Sequence, residues 1–410
     1  MLNNWRPLWN FPVERIHAEI FFMKKTYLTL LLFAVTCHLS FAQPHHFIKP
    51  RLIAYPNAPY APPKIQAAIL LDVSNSMDGL IDQAKAQLWN MVITLGKVKC
   101  NNSNPNIEIA LYEYGRTTNP TKSGYVRQLS GFTTDLDRLS DILFNLTTNG
   151  GDEYCGQVIY TSLNDLNWDN NPYSYKTIFI AGNEDFLQGR LHYSKGCQLA
   201  KSKGVIVNTI YCGDRMDGIR EHWNLIGECG GGSFTNINQN EKVIDMPTPY
   251  DDEIIALNEK LNGTYIGYGA VAAAKVETQK AMDSKNLSMG KSVAVKRATA
   301  KSNKSIYKNS EWDLVDKYEE NAGFVNTMNR SALPDSLKSK SKEQIKQVID
   351  AKAKERNNIQ KKIAEKTAAR DQYIANEKKK QAADKQNATL ETEVEKIIRK
   401  QVKSKKMEVQ

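Results

Sequence analysis

The sequence predicts a doubly wound α/β fold, with a mostly parallel central sheet and helices on both faces, continued by a helical C-terminal extension. Three observations carry that expectation. Residues 65–71 form a nearly continuous apolar run of strand length, as a parallel strand buried on both faces does. Strand and helix patterns then alternate to about residue 240, and parallel strands need such crossover connections. Beyond Pro247 only helical patterns continue.

Taken in order, residues 43–64 carry Pro44, Pro50, Pro56, Pro59, Pro62 and Pro63 and read as an extended leader. The strand at 65–71 is followed by an amphipathic helix with Leu80, Ala84, Leu88 and Met91 at helical spacing. Strands are predicted at 107–112 and 126–129, then a helix over 136–146 with Leu139, Leu143 and Leu146 on one side. A helix at 156–166, a strand at 177–181, a helix at 192–203, a strand at 204–211, a helix at 218–227 and a strand at 233–237 complete an α/β domain over 65–240. Residues 241–334 are expected to form a helical extension, with helices at 253–261 and 310–320 and a flexible Lys-, Ser- and Ala-rich link at 285–305. Residues 335–410 are expected to form a long, charged, basic helix from Lys342. Its apolar positions, Ile345, Ile349, Ile359, Ile363 and Tyr373, are too sparse for a sustained coiled-coil seam. Leu390, Val394, Ile397, Ile398 and Val402 make a second short stripe, and the residues do not decide whether it packs on the core or on a partner.

At 410 residues and 41% hydrophobic, the chain has material for one sizeable core and something less compact. Its net charge of +10 is localised: residues 335–410 hold 21 Lys and Arg against 12 Asp and Glu, so the α/β region is close to neutral. A basic helix of this kind either contacts an anionic surface or, more plainly, is a solvated face. Nothing aromatic or Gly-rich is interleaved with the charge, so nucleic acid is not an expected partner.

Met23-Lys24-Lys25, an apolar run over 27–35 and Ser40-Phe41-Ala42 read as a secretory signal peptide, too short to span a bilayer. On that reading the chain starts at Met23, the mature protein begins near Gln43, and it is exported to the periplasm or cell surface with no transmembrane helix after cleavage. The alternative is lipid anchoring at Cys37, to which Thr36 is a poor lead-in. Five cysteines remain after cleavage, so at least one thiol is unpaired by count. Cys212, ending a strand, and Cys229, ending the next helix, are the favoured disulfide; buried unpaired thiols are the alternative.

Asp72-Val73-Ser74-Asn75-Ser76 stands at the carboxyl end of the first buried strand, where ligands bind in open α/β sheets. Its residue types suit a hard cation: Mg²⁺, Mn²⁺ and Ca²⁺ take oxygen ligands, and two hydroxyls two residues apart can face one ion. The pattern resembles the DxSxS element of the metal-ion-dependent adhesion site of von Willebrand factor A domains. The resemblance covers residues 65–240. It implies a second loop, here residues 148–153, with Asp152 where the family has Thr, and a third loop after residues 178–180, with Gly182 where the family has Asp. It therefore implies a variant site of Asp72, Ser74, Ser76 and Asp152, with Asn183, Glu184 or Asp185 as substitutes from the third loop. With Asp152 in direct contact, the ion is expected to favour weaker or neutral oxygen ligands, or to bind more tightly at rest. The run 152–156, with 181–184 and the helical extension, is similar to a group of exported bacterial proteins of this kind.

His192 and His222 are isolated, and HExxH and GxSxG are both absent, so neither zinc nor serine hydrolysis is expected, and the chain does not read as an enzyme. Residues 267–272 superficially match a dinucleotide fingerprint but follow a helix, and Trp223 and Trp312 read as packing anchors. Two functions are expected from the whole. One is a metal-dependent module of the cell envelope that binds another protein through the metal-site face. The other is a structural envelope protein with a degenerate site, whose helical tail makes the contacts.

Overall fold

In the computed structural model, residues 62–100, 103–238, 246–380 and 390–409 are described, apart from the side chains of 228–230 and 391. They lie in the unit spanning residues 60–410. The segment expected to be a signal peptide, Cys37, most of the Pro-rich leader and the Cys229 side chain lie outside the described residues.

Six strands form the sheet: β1 Lys64–Asp72, β2 Asn106–Tyr114, β3 Arg127–Thr133, β4 Tyr175–Gly182, β5 Ile206–Cys212 and β6 Phe234–Ile237. Their order is β3-β2-β1-β4-β5-β6, all parallel except β3, which runs antiparallel to β2 at one edge. The expected fold class is thus the one adopted. β1 is central because its apolar residues need cover on both sides: Ile65, Ala67 and Leu71 enter one core layer, Ala68 and Leu70 the other. Helices α1 Asp78–Gly96 and α2 Leu136–Phe144 supply the first layer; α3 Cys155–Asp165, α4 Tyr193–Lys203, α5 Arg215–Arg220 and α6 Asn224–Gly230 follow or flank the second. Where one helix over 218–227 is expected, α5 and α6 are separate, divided at His222, whose φ of 64° is left-handed and cannot continue a helix.

The helical extension comprises α7 Asp251–Asn262, α8 Ala272–Ser288, α9 Lys291–Ser302, α10 Leu314–Glu320 and the long α11 Lys342–Lys380. The flexible link expected at 285–305 is a correction: it is the end of α8 and all of α9. Small residues Ala294, Ala298 and Ala300 let α9 approach closely, and its basic residues Arg297 and Lys301 are buried with acidic partners instead of solvated. Arg356 of α11 is likewise buried and bonds to Asp313, Asp316 and Thr264.

A last helix, α12 Leu390–Ser404, returns to the α/β layer and packs against α1 and β6. Val394, Ile397, Ile398 and Val402 are buried there, at the i, i+3, i+4, i+8 spacing of one helical face. Gln401 fixes the register: it donates to Asn208 Oδ1 at 2.6 Å and accepts from the Tyr175 hydroxyl at 2.9 Å. The apolar stripe of the tail therefore completes the sheet's own core. Burying four such side chains contributes on the order of 6–12 kcal/mol, comparable to the net stability of a whole domain.

The expected Cys212–Cys229 disulfide is also corrected. Cys212 is a free, buried thiol. Side chains alternate along β5, so Tyr211 faces the layer of α3 and α4 while Cys212 faces the layer of α1 and α12. Helix α6, which packs on α4 and so carries residue 229, is on the other side of the sheet. Cys197 of α4 is the described cysteine that is disulfide-bonded.

Candidate metal centre

The carboxyl end of β1 is where loops from three adjacent strands meet. Asp72, the last residue of β1, is fully buried. The Val73 N–H donates to Tyr114 O of β2 at 3.0 Å, and the Asn149 N–H donates to Val73 O at 2.8 Å, so the first and second loops are fastened to each other through backbone. Within the first loop the Ser74 N–H donates to Asp72 Oδ1 at 2.8 Å, and the Ser74 and Ser76 hydroxyl oxygens lie 3.3 Å apart. Asn183, at the start of the third loop, reaches Ser76 Oγ with its amide, Nδ2 at 3.2 Å and Oδ1 at 3.3 Å. Three of the expected site residues and one of the third-loop substitutes are thus brought together.

Asp152 and Asp185 are placed otherwise. Asp152 is exposed and accepts from the Tyr154 hydroxyl at 3.0 Å. Asp185 pairs with His222 Nδ1 at 3.0 Å and accepts from the Leu187 N–H. Glu184 is exposed and acts on the centre through its charge. The acid that the second loop turns inward is Glu153, which is buried. Gly115 shows how near it comes to the first loop: a Cβ at that glycine would stand 2.8 Å from Asp72 Oδ1 and 3.0 Å from Glu153 Cγ. With φ of +83° as well, position 115 admits no other residue without strain. The resemblance points to Asp152 in this loop and not to its neighbour Glu153. In an extended stretch adjacent side chains point apart, and the sequence does not say which of the two faces inward. Tyr114-Gly115 at the end of β2 was the available signal of a close approach.

The absence of an acid at position 182 has a steric cause. A Cβ there would lie 2.5 Å from the Tyr114 hydroxyl and 3.0 Å from Asp72 Oδ2. That hydroxyl is buried and donates to Ala181 O at 2.9 Å. Tyr114 therefore fills the room an Asp side chain would need, and Asp72 Oδ2 is left buried with no hydrogen-bond partner.

The electrostatics are one-sided. Burial pushes the Asp72 carboxyl up to about 7, against the Ser74 hydrogen bonds and aided by Glu184. Burial, then Asp72 and Glu184, push Glu153 up to about 8. Two buried carboxyls, one raised in part by the other and one with an orphaned oxygen, fit a divalent cation, since an ion supplies the missing positive charge. An all-oxygen donor set suits Mg²⁺, Mn²⁺ or Ca²⁺ better than a soft metal. Among the described residues no group of three or more His, Cys, Asp and Glu is arranged to hold a metal, so any ion here depends on the Ser74 and Ser76 hydroxyls as well as on acids.

No family model matches the sequence, and no curated protein matches it. Among solved structures the chain is similar to proximal thread matrix protein 1 of the mussel byssus, with zinc occupied MIDAS motif, at 12% identity and a TM-score of 0.32 over 43% of this chain and 42% of that one. It is similar to an aerotolerance-related membrane protein from Bacteroides fragilis at 14% identity and a TM-score of 0.31, over 43% and 93%. It is also similar to a von Willebrand factor type A structure from Catenulispora acidiphila at 16% and 0.32, over 43% and 39%. The chain thus spans 42% of the mussel protein it matches. By its own sheet order, residues 64–237 form a doubly wound α/β domain with the Asp72 loop at the carboxyl end of a central strand.

Proposed function

We propose that this α/β domain is of the von Willebrand factor A type and is a metal-dependent protein-binding module of the bacterial cell envelope, exported by its N-terminal signal and working through a variant adhesion site. The observation that carries the reading is the buried, unpartnered Asp72 Oδ2 at the end of the central strand, in the same loop as the paired Ser74 and Ser76 hydroxyls. A carboxylate so placed is costly unless a cation or proton satisfies it. Asp72, Ser74 and Ser76 would hold the ion, with Asn183 beside it. The ion supplies a Lewis-acidic position that a partner's oxygen can occupy.

The surrounding face suits a protein partner. Leu187 is exposed in the loop after β4 and Met216 and Ile219 on α5, which follows β5, and the two segments are tied together by the Phe186 N–H donating to Glu221 O at 2.9 Å and by the Asp185–His222 pair. Exposed apolar side chains on these segments would contribute buried area to a partner. The alternative, in which the tail makes the contacts, loses its apolar stripe to the core, because α12 buries it. Among the described residues no helix is long and apolar enough to cross a membrane.

The test is affinity capture of envelope proteins by the full chain in Mg²⁺, in EDTA, and with Asp72→Ala. A partner retained only by the wild type in Mg²⁺ supports the reading. A partner set unchanged by both EDTA and the substitution contradicts it.

A further inference from the structure

We infer that Glu153 is a ligand of the metal centre, supplying the second buried carboxylate that the third loop, with Gly182, does not provide. The inference rests on the metal-site reading above and goes beyond it, since neither the DxSxS pattern nor the family's ligand set assigns this residue. Four observations carry it. Glu153 is buried although it follows an exposed Asp in a surface loop, a placement that charged residues adopt when something compensates them. Its Cγ and Asp72 Oδ1 both lie within 3.0 Å of the point where a side chain at Gly115 would begin, so the Glu153 side chain reaches the first loop beside the Asp72 carboxyl. Asp72 Oδ2, fully buried on the side of Gly182, has no hydrogen-bond partner and so keeps a lone pair free for an ion. Tyr114 closes position 182 to any side chain, so an acid cannot enter from the third loop at the family's position.

The consequence concerns what the site takes. Two carboxylates balance the charge of one divalent cation, so the ion is retained without a partner's carboxylate and leaves its open position to a neutral oxygen, such as a backbone or side-chain carbonyl. Glu153 does for this centre what was expected of Asp152.

The experiment is calorimetric titration of the metal-free full chain with Mg²⁺ alone, using wild type, Asp72→Asn, Glu153→Gln, Glu153→Asp and Asp152→Asn, with each variant's folding checked by circular dichroism. The wild type is expected to bind one ion without any partner present. Glu153→Gln should weaken binding at least tenfold, Glu153→Asp should fall between, and Asp152→Asn should stay within twofold of wild type. If Glu153→Gln fails to fold, the Glu153→Asp affinity decides alone. Wild-type affinity in the Glu153 variants, with binding lost in Asp72→Asn, overturns the inference and leaves the metal site standing. No binding by wild type overturns both.

Discussion

Where the helical extension meets α2, Asp137 and Asp283 are buried or largely buried beside Arg297 and Lys301, whereas at the end of β1, Asp72 and Glu153 are buried near each other and near Glu184. The first cluster closes on itself. Arg297 donates to Asp137 at 2.7 Å and to Gln279 O at 2.9 Å, Lys301 donates to Asp283 at 2.9 Å and to Asn262 at 2.6 Å, and the Tyr307 hydroxyl adds a bond to Asp137. Burial alone would raise Asp283, but Lys301 and Arg297 overcome it and hold the carboxyl at about 2. Among the described residues no basic side chain pairs with the carboxyls of the second cluster, and they are displaced upward instead. One fold thus contains both solutions to buried charge, and the difference teaches where a cation is missing: a structural network brings its own counter-charge, while the loops at β1 leave that role to an ion or to protons.

Removing the counter-charge from the balanced cluster is the largest expected effect. Arg297→Leu leaves Asp137 and Asp283 buried without their guanidinium and should cost about 3–5 kcal/mol in urea unfolding. A loss below about 1 kcal/mol would break the contrast, because the cluster would then not depend on its own charge balance. The same operation has the opposite sign at the metal centre. Asp72→Asn removes an uncompensated carboxylate, so in EDTA the variant should be at least as stable as wild type. Saturating Mg²⁺, which should raise wild-type stability by about 2.7 kcal/mol at a hundredfold excess over the dissociation constant, should not raise the variant's.

Acid and base should separate the two clusters as well. Asp283 lies below its ordinary 3.8, so its contribution is present above that value and is lost as pH falls from about 4 to about 2. Asp72 and Glu153 lie above their ordinary 3.8 and 4.5, so the metal-free folded state binds more protons than the unfolded chain, and stability declines as pH rises from about 4 through about 8. Thermal unfolding across that range should show both losses in EDTA, and Mg²⁺ should remove the one at higher pH alone. The smallest effect is expected of Asp152→Asn. This exposed side chain touches Tyr154, and its loss should change stability by no more than about 0.5 kcal/mol in either buffer.

The sheet was legible in the sequence because burial on two faces leaves a plain mark. Residues 65–71 and 177–181 are apolar runs of strand length, and the helices between strands carry apolar residues at helical spacing. The DxSxS loop was legible for the same reason: its place follows from the strand it ends. What the residues near it do was less so. Asp152 and Glu153 are adjacent acids, and only the packing of Gly115 against the second loop decides which faces inward. The role of Gly182 needed Tyr114, 68 positions earlier in the chain and on a different strand. The extension misled because composition does not show partners. Residues 285–305 look like a soluble linker until Arg297 and Lys301 meet Asp137 and Asp283, which lie on other helices. The stripe at Val394, Ile397, Ile398 and Val402 announced a buried face but not its location, which is the sheet of the same chain.

The most direct test of the account is anomalous diffraction from crystals of the full chain soaked in Mn²⁺, a cation of the same preference for oxygen ligands as Mg²⁺. The account predicts one strong peak at the end of β1, bounded by Asp72, Ser74, Ser76 and Glu153, and none beside Arg297 and Lys301. No peak at that loop at saturating Mn²⁺, or a peak whose ligands exclude the Ser74 and Ser76 hydroxyls, would contradict it.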